Sequence, residues 1–155
     1  MILHLTCDTS GSMSEGGKHL IVRSVARAVE QYFRFGYGHA NLNLVAWGNE
    51  ARVAEWNLDE EFPPEMLICE GVASVEALIN LLGEQPEDKV LLITDGFWSL
   101  DDVKALKRWR ESLQQDTLRV IKIGADANPR LKGTDVFAAK DLFAALDGWL
   151  EGGVA

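Results

Sequence analysis

Asp8-Thr9-Ser10-Gly11-Ser12-Met13 sets one carboxylate and two hydroxyls at alternate positions, D-x-S-x-S, just after an apolar run. Hard oxygen donors carrying little charge suit Mg²⁺ or Mn²⁺, which accept hydroxyls, waters and a few carboxylates. A second acid, Asp95, closes another apolar run, Lys89-Val-Leu-Leu-Ile-Thr-Asp95-Gly96. Asp8, Ser10, Ser12 and Asp95 together make a candidate metal site. Phe97-Trp98 follows the second acid directly, so these aromatics are candidate partner-binding residues at its rim, Trp being enriched at binding hot spots. Each feature has an ordinary alternative. Asp, Ser and Gly are turn residues in any context, and Trp98 could simply pack beneath a loop.

For these side chains to meet, two strands must end side by side. Met1-Ile-Leu-His-Leu-Thr-Cys7 reads as a buried strand, with the D-x-S-x-S run at its carboxyl end. Residues 18–34 read as an amphipathic helix with Leu20, Ile21, Val25, Ala28, Val29 and Phe33 among its apolar positions, and Arg23, Arg27, Glu30 and Arg34 opposite. Gly36 and Gly38 end it. Residues 41–47 form a strand, and Gly48-Asn49-Glu50 turns into residues 51–56, a link short enough to require an antiparallel hairpin. Residues 57–65 form an acidic loop.

A short helix over residues 74–82 precedes the strand at 89–94, whose continuous apolarity suits a central parallel strand. Ser99-Leu-Asp-Asp102 resembles a capping box, opening a helix with Val103, Leu106, Trp109 and Leu113 on one face. Residues 118–124 and 134–137 give two more strands. A helix over residues 141–150, burying Leu142, Phe143, Leu146 and Trp149, precedes a frayed tail at 151–155.

The alternation predicts one domain over residues 1–155: an open, Rossmann-like α/β sheet of about six mostly parallel strands with helices on both faces. The expected strand order is 3-2-1-4-5-6 with strand 3 antiparallel. Asp8 and Asp95 then end neighbouring strands at the topological switch point, where open α/β sheets bind ligands.

Composition narrows the functions available. With 155 residues and a net charge of -9, the chain lacks the basic balance expected of a nucleic-acid or anionic-membrane binder. Cys7 and Cys69 form no disulfide framework, and no signal segment or long apolar run is evident, so the expected location is the cytoplasm. His4 is expected as a satisfied core histidine. Cys7 and Cys69 are expected as small buried hydrophobes, since soft thiolates do not suit a hard ion. Lys104, Lys107, Arg108 and Arg110 read as a solvated helix face.

Asp8-Thr-Ser-Gly-Ser12-Met, the helix after it, the hairpin and Ile93-Thr-Asp95-Gly96 together resemble a von Willebrand factor A (vWA) domain of the small stand-alone bacterial type. The resemblance implies a metal-ion-dependent adhesion site. Ser10 and Ser12 would bind the ion through their hydroxyls, Asp8 and Asp95 directly or through water, and a partner's carboxylate would complete the shell. The family usually adds a threonine from a loop before the helix preceding strand 4. Here that position falls on Val72 or Ala73, and Ser74, one residue on, is the substitute available.

The expected function is therefore metal-dependent protein binding without catalysis, with Mg²⁺ or Mn²⁺ as cofactor. By analogy with small bacterial members, the partner is a protein presenting Asp or Glu, such as a MoxR-type AAA+ ATPase. A metal-free scaffold binding through another surface is the main alternative. An enzyme is the remoter one: Ser12-Met-Ser-Glu-Gly-Gly-Lys18-His19 nearly spells a phosphate-binding P-loop, but has serine where the first glycine belongs and histidine where Ser or Thr belongs. A phosphatase of the haloacid dehalogenase type would want aspartate at position 10, which is serine.

Overall fold

The first strand, β1 (Ile2–Asp8), pairs in parallel on both sides, with β2 (Asn41–Trp47) and β4 (Lys89–Thr94). In this computed structural model, which describes residues 1–36 and 40–150, β3 (Ala51–Val53) lies antiparallel to β2 at one edge. At the other side, β5 (Leu118–Lys122) and β6 (Val136–Ala138) continue the sheet in parallel. The resulting order, β3-β2-β1-β4-β5-β6, is the one expected from the sequence.

Alternation along each central strand divides the interior into two layers. Leu3, Leu5, Leu91 and Ile93 face α1 (Lys18–Arg34) and α4 (Leu142–Leu146). Val45, Trp47, Val90 and Leu92 face α2 (Val75–Leu82) and α3 (Leu100–Ser112). Both long apolar runs are thus buried on two sides, as a parallel sheet requires. No described helix is long and apolar enough to cross a membrane.

Several local expectations change. The hairpin strand stops at Val53 rather than residue 56, because Trp56 turns inward to pack edge-on against Phe62 and beneath the Arg27 guanidinium. The acidic loop is tied down as well: Arg27 donates to the Leu58 carbonyl at 2.9 Å and to that of Glu60 at 2.5 Å. The last helix covers only Leu142–Leu146, and Gly148, at φ 75°, turns the chain so that Trp149 still reaches the core. Phe143 stays exposed, stacked on Tyr32, instead of buried. In α3, Leu106 and Trp109 carry the burial while Val103 faces outward. Gly38 and residues 151–155 lie outside the described residues.

The largest departure from the expected packing is in α1. Its buried stripe runs through Lys18, Val22, Val25, Val29 and Tyr32, spaced by four, three, four and three, while Leu20 and Ile21 are exposed. Glu30, expected at the surface, is buried and pairs with Arg27 and Arg34 at 3.0 and 3.1 Å. A lysine therefore heads the face that packs on the sheet.

Candidate functional site at the carboxyl edge of the sheet

Because β1 and β4 are hydrogen-bonded neighbours, their last residues are delivered to one place. The chain leaves β1 through a tight turn in which the Ser10 backbone N–H donates to Asp8 Oδ1 at 2.8 Å. It then enters short 3₁₀ turns over Gly11–Gly17 that lead into α1. From β4, the Thr94 hydroxyl donates to Asp8 Oδ2 at 2.6 Å and itself accepts the Gly96 N–H at 3.0 Å. The Trp98 indole N–H reaches the same Asp8 oxygen at 3.4 Å. Asp8 is thus a buried carboxylate held by neutral donors, and no described cation pairs with it. Burial pushes its carboxyl above the usual carboxylate range; hydrogen bonds from Ser10 and Thr94 work against this, and the charge of Asp95 adds to it.

The two hydroxyls of the motif converge, with Ser10 Oγ and Ser12 Oγ 3.5 Å apart. Asp95 is held differently. Its Oδ1 accepts the Phe97 N–H at 3.1 Å, and its Oδ2 lies 3.1 Å from the Lys18 ammonium. Lys18 also reaches Asp126, in the loop after β5, at 3.1 Å. Burial alone would lower the Lys18 pKa, but hydrogen bonds and charge from Asp95 and Asp126 outweigh it and raise the net value. Its ammonium also lies 5.4 Å from the centre of the Phe97 ring.

Two glycines make this packing possible. Gly96 adopts φ 80°, and a Cβ there would come within 2.9 Å of Leu131. Gly124 adopts φ 96°, and a Cβ there would lie 2.8 Å from Lys18 Cε. The lysine stem occupies the space that the missing side chain leaves.

Residues 70–74 also border the D-x-S-x-S turn: Glu70 N–H donates to the Thr9 carbonyl at 3.0 Å, and Gly11 N–H to that of Gly71 at 2.9 Å. Ser74 is occupied as the N-cap of α2. Its hydroxyl accepts the Ala77 N–H at 3.2 Å, and its carbonyl takes the Trp47 indole N–H at 2.7 Å. Ala73 is fully buried among the α2–α3 layer, and Val72 is exposed. With Ser74 committed to its helix, Ser10 and Ser12 carry hydroxyls at the edge, while that of Thr94 is already donated to Asp8.

The topology matches that of solved structures. The manganese-loaded TRAP protein of Plasmodium vivax aligns over 97% of this chain and 73% of its own, with a TM-score of 0.62 and 14% identity. A von Willebrand factor type A protein from Catenulispora acidiphila aligns over 97% of this chain with a TM-score of 0.59 and 16% identity. BatB from Bacteroides thetaiotaomicron aligns over 79% of this chain and 66% of its own, with a TM-score of 0.52 and 15% identity. The chain has the von Willebrand factor A fold. It spans 41% of the length of the C. acidiphila protein. No protein-family model matches the sequence, and no curated protein matches it.

Within this vWA fold, the sequence-predicted residues separate into two groups. Asp8, Ser10, Ser12 and Asp95 come together at one edge. Ser74 is diverted to its helix. Trp98 is half-buried, its ring 5.7 Å from that of Trp47, so Phe97, 41% exposed, is the aromatic that faces out. The donor set fits a hard divalent cation: paired hydroxyls sit beside a buried carboxylate that lacks a cationic partner. Among the described residues, no cluster of three or more His, Cys, Asp and Glu side chains is gathered for a metal, so any such site here rests on hydroxyls.

Lys18, Thr94 and Asp126 were not singled out from the sequence as site residues. Lys18 did leave a signal: it lies on the 18-22-25-29 core stripe and in the first helical turn, where the helix dipole disfavours a cation. A lysine so placed needs a carboxylate.

The remaining candidates fill ordinary roles. His4 Nδ1 lies 2.9 Å from the Asn43 amide nitrogen, and burial lowers its pKa against the opposing charge of Asp88. Cys7 and Cys69 are both free. Burial raises the thiol pKa of each, that of Cys69 to about 11, which leaves neither a ready thiolate ligand.

Proposed function

We propose that this vWA fold serves as a protein-interaction module whose binding edge, at the ends of β1 and β4, depends on a divalent cation. The observation that supports this reading best is the convergence of the Ser10 and Ser12 hydroxyls beside the buried, cation-free carboxylate of Asp8. Ser10, Ser12 and Asp8 would hold Mg²⁺ or Mn²⁺, with Asp95 at its flank. When bound, such an ion supplies a Lewis-acidic position with residual positive charge for an Asp or Glu of another protein. The TRAP protein, similar in fold, is manganese-loaded in its solved structure, which lends this reading support.

The chain's own residues shape what can approach. Thr94 and the Ser10 amide orient Asp8, while the Phe97 ring provides an apolar rim. We extend the proposal to a cytoplasmic partner that presents an acidic side chain, of which a MoxR-type AAA+ ATPase is one example, and assign no catalysis. The metal-free alternative, binding through the Phe97 rim, is favoured by one observation: Lys18 already neutralises Asp95.

Titrating Mn²⁺ into metal-stripped protein, with Asp8→Ala as control, tests the reading. Saturable binding that Asp8→Ala abolishes is expected. A ligand that binds only the folded state stabilises it by about 2.7 kcal/mol at a hundredfold excess over its Kd, so a melting scan gives an independent readout. Unchanged melting at millimolar Mn²⁺ would leave the metal-free scaffold.

A further inference from the structure

A buried lysine on a helix stripe that otherwise packs apolar side chains requires an explanation. Lys18 is 3% exposed, Asp95 is fully buried, and their charged atoms are 3.1 Å apart. The contact joins the start of α1 to the residue directly after β4, 77 residues away. Gly124 leaves open the space that the lysine stem crosses. Packing alone does not oblige a cation here, since a methionine of similar length would continue the stripe; the buried Asp95 carboxylate does. What the lysine adds is a positive charge beside a site suited to a cation.

We infer that Lys18 is the resident counter-cation of this edge: it neutralises Asp95, weakens the site's hold on a free divalent ion and makes a partner's carboxylate necessary for tight occupation. The inference rests on the metal-dependent reading above. Its logic is a charge count over the buried groups. With both carboxylates ionised, as metal binding requires, the buried Asp8, Asp95 and Lys18 together carry one net negative charge. A divalent ion turns that into one net positive charge, which an acidic side chain from a partner would neutralise. With an uncharged residue at position 18 the loaded site would be neutral, and the incoming carboxylate would gain little. Asp126, with its side chain 63% exposed, is screened by water and shifts this balance far less.

Linkage then makes the two ligands interdependent. Whatever factor the partner's carboxylate adds to metal affinity, the metal adds to partner affinity. A site tuned in this way holds metal only weakly when alone and is occupied there only at high metal concentration. It fills when the partner arrives.

The test is Mn²⁺ affinity, read by electron paramagnetic resonance, in the full chain and in Lys18→Met, with Asp8→Ala added to each. Circular dichroism establishes that the variant is folded. Should Lys18→Met not fold, Lys18→Gln keeps an amide donor for Asp95 without the charge. We expect removal of the charge to tighten Mn²⁺ binding by about tenfold or more, since like charges at a partly buried site repel more strongly than they would in bulk water. The gain should vanish with Asp8→Ala. Equal affinity in wild type and variant would overturn the role of Lys18 and leave the metal site standing. Weaker binding in the variant would make Lys18 a structural support and also overturn the inference. No Mn²⁺ binding in either protein would overturn both the inference and the metal-dependent reading.

Discussion

At the carboxyl edge of the sheet, β1 ends in the buried Asp8 and the buried Asp95 directly follows β4, and the two carboxylates are stabilised in opposite ways. Asp8 relies on neutral donors: a backbone amide, a threonine hydroxyl and an indole N–H. Asp95 takes one amide and a full positive charge. The first arrangement leaves negative charge available to another cation, and burial raises the carboxyl pKa in spite of these hydrogen bonds. The second arrangement spends that availability on an internal ion pair. Two residues of the same type, at neighbouring strand ends, thus acquire different roles from what faces them.

The largest effect is expected from removing the cation. Breaking a buried ion pair from one side leaves an uncompensated charge and costs about 3–5 kcal/mol. Lys18→Met should show a loss of this size in urea denaturation without metal, and millimolar Mg²⁺ should restore part of it. Combining Lys18→Met with Asp95→Asn should cost less than Lys18→Met alone, because the stranded charge is gone. Equal costs for the single and double variants would mean that Lys18 contributes packing rather than charge.

Crowding the lysine comes next. Gly124→Ala places a methyl 2.8 Å from Lys18 Cε at a backbone φ of 96°. Such strain typically costs about 1–3 kcal/mol, readable as a fall in Tm. Mn²⁺ affinity should rise in the same variant if the ammonium is displaced from Asp95.

Ser74→Ala should cost about 1 kcal/mol through loss of the α2 N-cap, with Mn²⁺ affinity unchanged. A large fall in affinity would make Ser74 a ligand after all.

The smallest change concerns Asp8. Its folded-state pKa lies above the unfolded value, so its contribution to stability is fully present below the unfolded pKa and is lost as pH rises through the folded one. Wild type should therefore gain stability relative to Asp8→Asn as pH falls from about 7 toward about 4. Paired denaturation curves across that range check the sign. A constant difference would indicate that the neutral donors fully offset burial.

Much of this edge was legible in the sequence because strand patterns are local. The apolar runs ending at Cys7 and Thr94, the short hairpin link and the helical spacing between them were enough to imply the sheet order and to set Asp8 beside Asp95. The parts that were not legible depend on contacts between distant segments. Helical periodicity in residues 18–34 fits more than one inward face, and only the packed sheet selects the one through Lys18, Val22 and Val25 over the one through Leu20 and Ile21. The ion pair from Lys18 to Asp95 and Asp126 needs the loop after β5 in place. Phe143 looked like core because the last helix was expected to continue, whereas Gly148 turns the chain and leaves that ring outside. Ser74 could be seen as a hydroxyl near the right place, but its use as a helix cap depends on where α2 begins.

The most direct test is crystallographic: anomalous scattering from crystals soaked in Mn²⁺. The account predicts a manganese peak against the Ser10 and Ser12 hydroxyls and Asp8, with the Lys18 ammonium still on Asp95. An edge without a manganese peak, in crystals where it is open to solvent, would contradict the metal-dependent reading. A peak accompanied by Lys18 swung away from Asp95 would contradict its role as the resident counter-cation.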